Sequence, residues 1–361
     1  MDEFFLASPR GTLLAGGPYF AVPPSARRNA LADLPARAAG ALGVALAAGH
    51  TAPVVVGAIP FAPDADACLY VPRWVRHGPP PGPGAPAAPL AADPGDSEQI
   101  PPPLEYAEAV RRAVKRLRAG DLDKVVLARS LTIPYEGDLT PLVEALAERD
   151  PTGYTFAAAL PGGRTLLGAS PELLVSRSGR TVVANPMAGS APRGADPGHL
   201  MTSAKDRREH ALVVEAVAAA LRPYCSTLSV PEQPSLVPTA SMWHLSTRIS
   251  GELADPATTS LELAAALHPT PAVCGTPTDA ARQLIAELEP FDRGFYTGLV
   301  GWQDAAGDGE WVVAIRCAVA DGTALTLYAG AGIVADSDPD AELAETSAKF
   351  RTTLGALHVA R

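Results

Sequence analysis

ELLVSRSGRTVVAN, residues 172–185, decides the fold class. Glu172–Arg177 and Thr181–Asn185 are strand-like, and Ser178-Gly179-Arg180 between them is a tight-turn signal. The pattern predicts an antiparallel hairpin. Upstream, Tyr154–Leu160 and Thr165–Leu167 are strands, and Asp123–Ile133 is another, with Val125, Leu127, Leu131 and Ile133 on one face. Downstream, Trp243–Glu252, Trp311–Ala318 and Ala324–Ala329 are each expected to form one strand. Helices are predicted at Leu104–Ala119, Pro141–Glu148, Lys205–Leu221 and Pro339–Leu357, the last with Asp338 as N-cap and Pro339 at its first position. Strands and helices do not alternate strictly. The fold class is therefore α+β with largely antiparallel sheets, not a doubly wound one.

Further out, residues 1–76 read as short strands around one helix: Phe4–Leu14 and Val54–Pro60 strand-like, Arg27–Ala48 alanine-rich and helical. Residues 77–103 are dominated by Pro, Gly and Ala, a composition that cannot build a core, and read as an exposed linker or long loop. Residues 104–361 hold the strongest patterning. With 361 residues and 47% apolar content the chain is globular. A net charge of −10 argues against a nucleic-acid partner and against an anionic membrane surface. Cys68, Cys225, Cys274 and Cys317 are scattered without a CxxC pair, which disfavours disulfides and zinc and fits a cytoplasmic protein. The N-terminus is acidic and lacks a sustained apolar run, so no signal peptide is expected, and no run reaches membrane-spanning length.

Two acid pairs share one spacing. Asp206 and Glu209 lie in KDRREHALVVEA, and Glu342 and Glu345 in DPDAELAETSAK. Residues three apart share a helix face, so each segment can aim two carboxylates at one point, an all-oxygen donor set of the kind magnesium prefers. Glu209 extends the apolar stripe of Val213, Ala216, Val217 and Ala220 and should point inward. Solvated first-turn acids are the plain alternative. Glu342, Glu345 and Lys349 share a face distinct from the stripe of Leu343, Ser347, Phe350, Leu354 and Leu357. They look toward solvent or a cavity, and an ordinary surface Glu345–Lys349 pair would also explain them. Lys124 projects opposite Val125 and Leu127; drawn into a dry or cationic site, such a lysine can act as a base. Glu172 follows Gly168-Ala169-Ser170-Pro171; a carboxyl held in an apolar pocket stays protonated and can donate. Either residue could equally be a solvated strand end. Ala329-Gly330-Ala331-Gly332, expected just after a strand, lacks the third glycine of a dinucleotide loop but lets a carboxylate meet backbone N–H groups. Arg316, expected within the strand WVVAIRCAV, needs an anionic partner: a substrate carboxylate or a structural acid.

Together these segments resemble the chorismate-utilising enzymes, and within them the isochorismate synthases of siderophore pathways. The resemblance runs in order through KVVLARS from Lys124, GASPELL from Gly168, PMAGSAPRG from Pro186, KDRREH from Lys205 and WHLST from Trp243. It continues through HPTPAVCGTP from His268, IAELEPFDRGFYTGLVGW from Ile285, GEWVVAIRCA from Gly309, YAGAGIV from Tyr328 and ETSAK from Glu345. It is dense from about residue 104 onward, weaker over 1–76 and absent from the proline-rich segment.

The resemblance implies one domain over residues 1–361, built of two packed, largely antiparallel sheets flanked by helices, and often a monomer. It implies Mg2+ on Glu209 and Glu345, with Asp206 and Glu342 as outer ligands. Lys124 would be the base that activates water toward C2 of chorismate, and Glu172 the acid that protonates the departing C4 hydroxyl. Gly189, Ser190, Arg316, Gly330 and Lys349 would contact substrate, with His244 and Ala272 lining the pocket. Aminating relatives such as anthranilate synthase carry glutamine at the position of Lys124, so lysine points to water addition. A salicylate synthase, which goes on to eliminate pyruvate, and a non-catalytic chorismate-binding homologue are the alternatives. Two departures stand out: Thr276 where relatives often carry an aromatic, and Asp206 where a glutamate is common.

Overall fold

The 172–185 segment folds as the hairpin its sequence predicts, with Val182 opposite Arg177 and Val183 opposite Ser176. In a computed structural model, which describes residues 3–82, 97–239 and 242–357, this hairpin is one rung of a long antiparallel ladder. In chain order the strands are β1 (Glu3–Ser8), β2 (Gly11–Ala21), β3 (Val54–Ile59), β4 (Cys68–Gly78), β5 (Glu98–Ile100), β6 (Lys124–Pro134), β7 (Tyr154–Leu160), β8 (Arg164–Ser170), β9 (Leu173–Ser178) and β10 (Thr181–Asn185). They continue as β11 (Met187–Pro192), β12 (Cys225–Ser229), β13 (Ser235–Pro238), β14 (Met242–Ser246), β15 (Ile249–Leu253), β16 (Gly275–Thr276), β17 (Leu299–Asp304), β18 (Gly309–Val313), β19 (Cys317–Ala320) and β20 (Ala324–Ile333). The helices are α1 (Leu34–Ala47), α2 (Pro103–Arg118), α3 (Thr140–Arg149), α4 (Gly198–Thr202), α5 (Ala204–Leu221), α6 (Ser260–Leu267), α7 (Thr278–Leu288) and α8 (Pro339–Leu357).

Seventeen of the described strands pair in one antiparallel run, β12-β15-β10-β9-β18-β17-β3-β4-β2-β1-β7-β8-β19-β20-β6, with β5 and β16 both pairing with β6. A separate three-stranded sheet, β11-β14-β13, closes one end. The run doubles back on itself. Phe4, Leu13, Val54, Val56 and Ala58 pack in one buried cluster with Phe156, Ala158, Leu166 and Ala128 from its other half. Two sheet layers thus face each other, as expected. Side chains alternate with the pleat: Val54 and Val56 point between the layers while Val55 points outward to α1 and α6. Burying one such valine contributes about 1.5–3 kcal/mol.

Helices cover the outer faces. On one side α1, α5 and α6 share a core with β3, β10 and β15. On the other, α3 and α8 pack on β6–β8, β19 and β20, while α2 and α7 cover the remaining ends of β6 and β20. Local sequence sets their ends. Ser203 accepts a hydrogen bond from the Asp206 backbone N–H and caps α5. Asp338 accepts from the backbone N–H groups of Asp340 and Ala341 and caps α8, as its sequence predicts.

Several expectations need correction. Phe4–Leu14 is two strands of a hairpin turning at Pro9-Arg10, not one strand. The helix expected over Arg27–Ala48 starts only at Leu34, with Pro35 in its first turn. Trp243–Glu252 splits into β14 and β15, which belong to different sheets. Trp311–Ala318 splits into β18 and β19, and Arg316 lies in the break between them with φ 50°. Ala329–Gly332 lies inside β20 rather than after it. Of residues 77–103, the ends belong to β4, β5 and α2, while 83–96 lie outside the described residues. No helix among the described residues is long and apolar enough to cross a membrane.

Candidate active site

Lys124 is the first residue of β6. Val125 and Leu127 point out to α2 and α7, so Lys124 points inward and is fully buried. Its Nζ lies 3.0 Å from Glu209 Oε1. Glu209 reaches this point because it heads the buried stripe Val213, Val217 and Leu221 of α5. A buried charge without a counter-charge is costly, so the pair neutralises itself. Gly332 on β20 makes the room: a Cβ there would sit 2.3 Å from Glu209 Oε1 and 2.9 Å from Lys124 Cε.

Two more lysine–carboxylate pairs surround this one. Lys205 Nζ donates to Glu342 Oε1 at 2.8 Å, joining α5 to α8. Lys349 Nζ lies 2.6 Å from Glu345 Oε1 and donates to the Gly330 carbonyl at 2.8 Å. Ser190 Oγ also donates to Glu345 Oε1, at 2.8 Å. Burial, reinforced by the Glu345 charge, pushes the Glu342 carboxyl above its ordinary value despite Lys205. For Glu345 burial is outweighed, and Lys349 and Ser190 hold the carboxyl below its ordinary value.

Glu172 stands at the start of the opening hairpin and is 3% exposed. Burial lifts its carboxyl from 4.5 to about 7, although a backbone hydrogen bond from Met187 and the charges of Lys124 and Lys349 oppose the shift. Arg316 Nη2 lies 3.2 Å from His244 Nε2. A guanidinium only donates, so this nitrogen is the acceptor of a neutral ring. Burial, then Arg316 and Lys349, hold the His244 imidazole well below its ordinary range.

These groups meet at a cleft with about 670 Å³ of unfilled space, part of it open to solvent. Its wall includes Glu172, Gly189, Ser190, Glu209, His244, Ala272, Arg316, Gly330, Glu345 and Lys349. Lys124, Asp206 and Glu342 are absent from that wall. Lys124 sits directly behind Glu209, and Glu342 is buried against Lys205. Asp206 lies beside Gly189, whose φ of 77° favours glycine and where an added Cβ would sit 3.2 Å from Asp206 Cβ. Among the described residues no three His, Cys, Asp or Glu side chains converge closely enough to hold a metal ion. The acids instead face lysines. As a donor set they still fit a hard divalent cation: carboxylates on two helices meeting at one cleft, with Ser190 adding a hydroxyl.

The sequence reading did not single out Tyr296, Thr297 or Tyr328, all of which line the cleft. Tyr296 and Tyr328 stack with centroids 5.1 Å apart. Behind them Arg293 donates to Glu289, to the Val273 carbonyl and to the Val126 carbonyl, both at 2.8 Å, tying three wall segments together. The available signal was Glu289 and Arg293 four apart in the stretch EPFDRGFYTG.

A family profile described as "Chorismate binding enzyme" matches residues 87–358. The chain belongs to this family. It is 52% identical to isochorismate synthase DhbC of Bacillus subtilis, over 99% of this chain and 94% of that one. Isochorismate synthase EntC of Escherichia coli is 39% identical over 98% and 94%. A crystal structure of DhbC from Bacillus anthracis, named as 2,3-dihydroxybenzoate-specific isochorismate synthase, superposes with a TM-score of 0.93, at 47% identity, over 99% of this chain and 97% of that one.

Proposed function

We propose that this chain is an isochorismate synthase of the siderophore type. It converts chorismate to isochorismate by adding water at C2 with loss of the C4 hydroxyl. The observation that carries the reading is the cleft itself. A protonatable carboxyl, Glu172, lines one cavity with Arg316, Lys349 and glycine backbone, and the buried Lys124 lies directly behind its wall, against Glu209. Sequence identity to named isochorismate synthases over nearly the whole chain supports the same reaction.

In this reading Lys124, acting as its free amine, takes a proton from water as the oxygen bonds to C2, and Glu172 gives a proton to the C4 hydroxyl, which leaves as water. One water enters and one departs, so the net reaction is an isomerisation. Arg316 and Lys349 bind carboxylate, and neutral His244 orients the guanidinium. Glu209 and Glu345 would hold Mg2+, with Asp206 and Glu342 behind them, and the ion would supply positive charge to the ring carboxylate. We read residues 1–361 as one chorismate-binding domain, monomeric and cytoplasmic; the four cysteines are free.

The test is incubation of purified protein with chorismate and Mg2+, followed by product resolution. Isochorismate alone is expected, with activity lost on chelation. Salicylate with stoichiometric pyruvate would sink the isomerase reading, and chorismate binding without turnover would replace it with a non-catalytic role.

A further inference from the structure

Arg129 is 2% exposed, and among the described residues its guanidinium hydrogen-bonds to neutral groups. Nε donates to Thr346 Oγ1 at 2.9 Å and Nη1 to Gln99 Oε1 at 2.7 Å. Nη2 donates to Ser347 Oγ and, at 3.5 Å, to the Leu343 carbonyl. The rings of Phe350 and Tyr106 flank it, with centroids 5.1 and 5.8 Å away. Leu343, Thr346, Ser347 and Phe350 form one stripe of α8. Glu342, Glu345 and Lys349 form the neighbouring stripe, offset by one residue, or about 100°. Gripping the first stripe fixes the rotation of the second.

Burying a guanidinium among neutral acceptors is expensive, and an apolar side chain would close this part of the core more cheaply. What the guanidinium provides is direction: a planar fork whose bonds accept one azimuth of α8. Arg129 also shares β6 with Lys124, on the opposite face. One strand therefore carries both the candidate base and the clamp on the helix bearing Glu345 and Lys349.

We propose that Arg129 is a positioning residue, setting the rotation of α8 so that Glu342, Glu345 and Lys349 address the cleft. The proposal rests on the isochorismate synthase reading for its kinetic consequence but not for its structural one. The test compares Arg129→Met, Arg129→Lys and the double variant Thr346→Val/Ser347→Ala with the unaltered full chain. In Arg129→Met, amide hydrogen exchange over residues 342–350 should quicken at least about tenfold while α5 keeps its protection. The Mg2+ half-saturation from calorimetry and KM for chorismate should rise, and kcat should fall, the first and last each by about tenfold or more. Arg129→Lys keeps the charge but not the fork and should not restore either quantity. The double variant removes both side-chain acceptors on the helix and should reproduce the effects, which keeps the test open if Arg129→Met does not fold. Unaltered α8 exchange in these variants, or a lowered Tm with exchange, Mg2+ midpoint and kcat all unaltered, would overturn the proposal. If the unaltered chain neither turns over chorismate nor binds Mg2+, the functional reading fails while α8 exchange still decides the role of Arg129.

Discussion

Lys124 and Glu209, brought together from β6 and α5, form an ion pair 3.0 Å long in the space left by the missing side chain of Gly332. The pair joins the residue proposed as base to a residue proposed as metal ligand. Substituting either one therefore changes the surroundings of the other.

Lys124→Gln keeps a polar side chain of similar length but removes the basic group. Steady-state turnover should drop by about 100-fold or more, the scale of general base catalysis, while chorismate and Mg2+ binding persist. Stability should fall as well, because Glu209 is left without its counter-charge. Near-native isochorismate formation by this variant would rule out Lys124 as the base.

Gly332→Ala meets no positive φ, so its backbone is unstrained. The added methyl would sit 2.3 Å from Glu209 Oε1 and 2.9 Å from Lys124 Cε, so the buried ion pair must shift. The expected outcome is a lowered Tm together with at least a tenfold loss of kcat/KM, read as lost positioning of Glu209. A large Tm loss with kcat/KM retained would show the glycine to be a packing feature only.

Glu172 predicts a pH signature. Its carboxyl is raised from 4.5 to about 7 in the folded chain. Between those values the native state holds a proton that the unfolded chain has lost. Stability therefore falls as pH rises through this window and levels off above about 7, by roughly 3 kcal/mol in all. Glu172→Gln lacks this term, so its Tm advantage over the parent should widen from pH 4.5 to 7 and then stay constant. For the parent, kcat/KM should decline above about pH 7 as the acid loses its proton. A pH-independent Tm difference would contradict the raised value.

Arg316 has φ 50° and donates into the cleft. Arg316→Ala and Arg316→Gly should both raise KM for chorismate about 10- to 100-fold, the worth of a charge-assisted hydrogen bond. The glycine variant should be more stable than the alanine variant by about 1 kcal/mol, because glycine adopts this backbone freely. Equal stabilities measured by denaturant unfolding would show that the backbone is not strained there.

The sequence was most legible where a local rule sufficed. The 172–185 hairpin, the cap at Asp338 and the apolar stripes of α5 and α8 all rest on neighbouring residues. It was misleading where an apolar run crosses a break without glycine or proline. Trp311–Ala318 reads as one strand because nothing marks Arg316 as left-handed, and Trp243–Glu252 hides a change of sheet at Thr247-Arg248. The site was legible as residue types but not as pairs. Glu209 could be read as inward-facing from its stripe. That Lys124, Lys205 and Lys349 each neutralise one acid depends on contacts between distant segments, which spacing does not encode.

The pairing of β6 has a consequence for how the protein is made. Val125 opposes Ile333, and Ala324 opposes Pro134, so the strand opening with Lys124 waits for the last of the described strands. During translation β6 emerges long before β20 exists, leaving an apolar edge open while ribosomes extend the nascent chain. Fragments ending before residue 324 should therefore be aggregation-prone rather than partly active, and chaperone demand should peak late in synthesis.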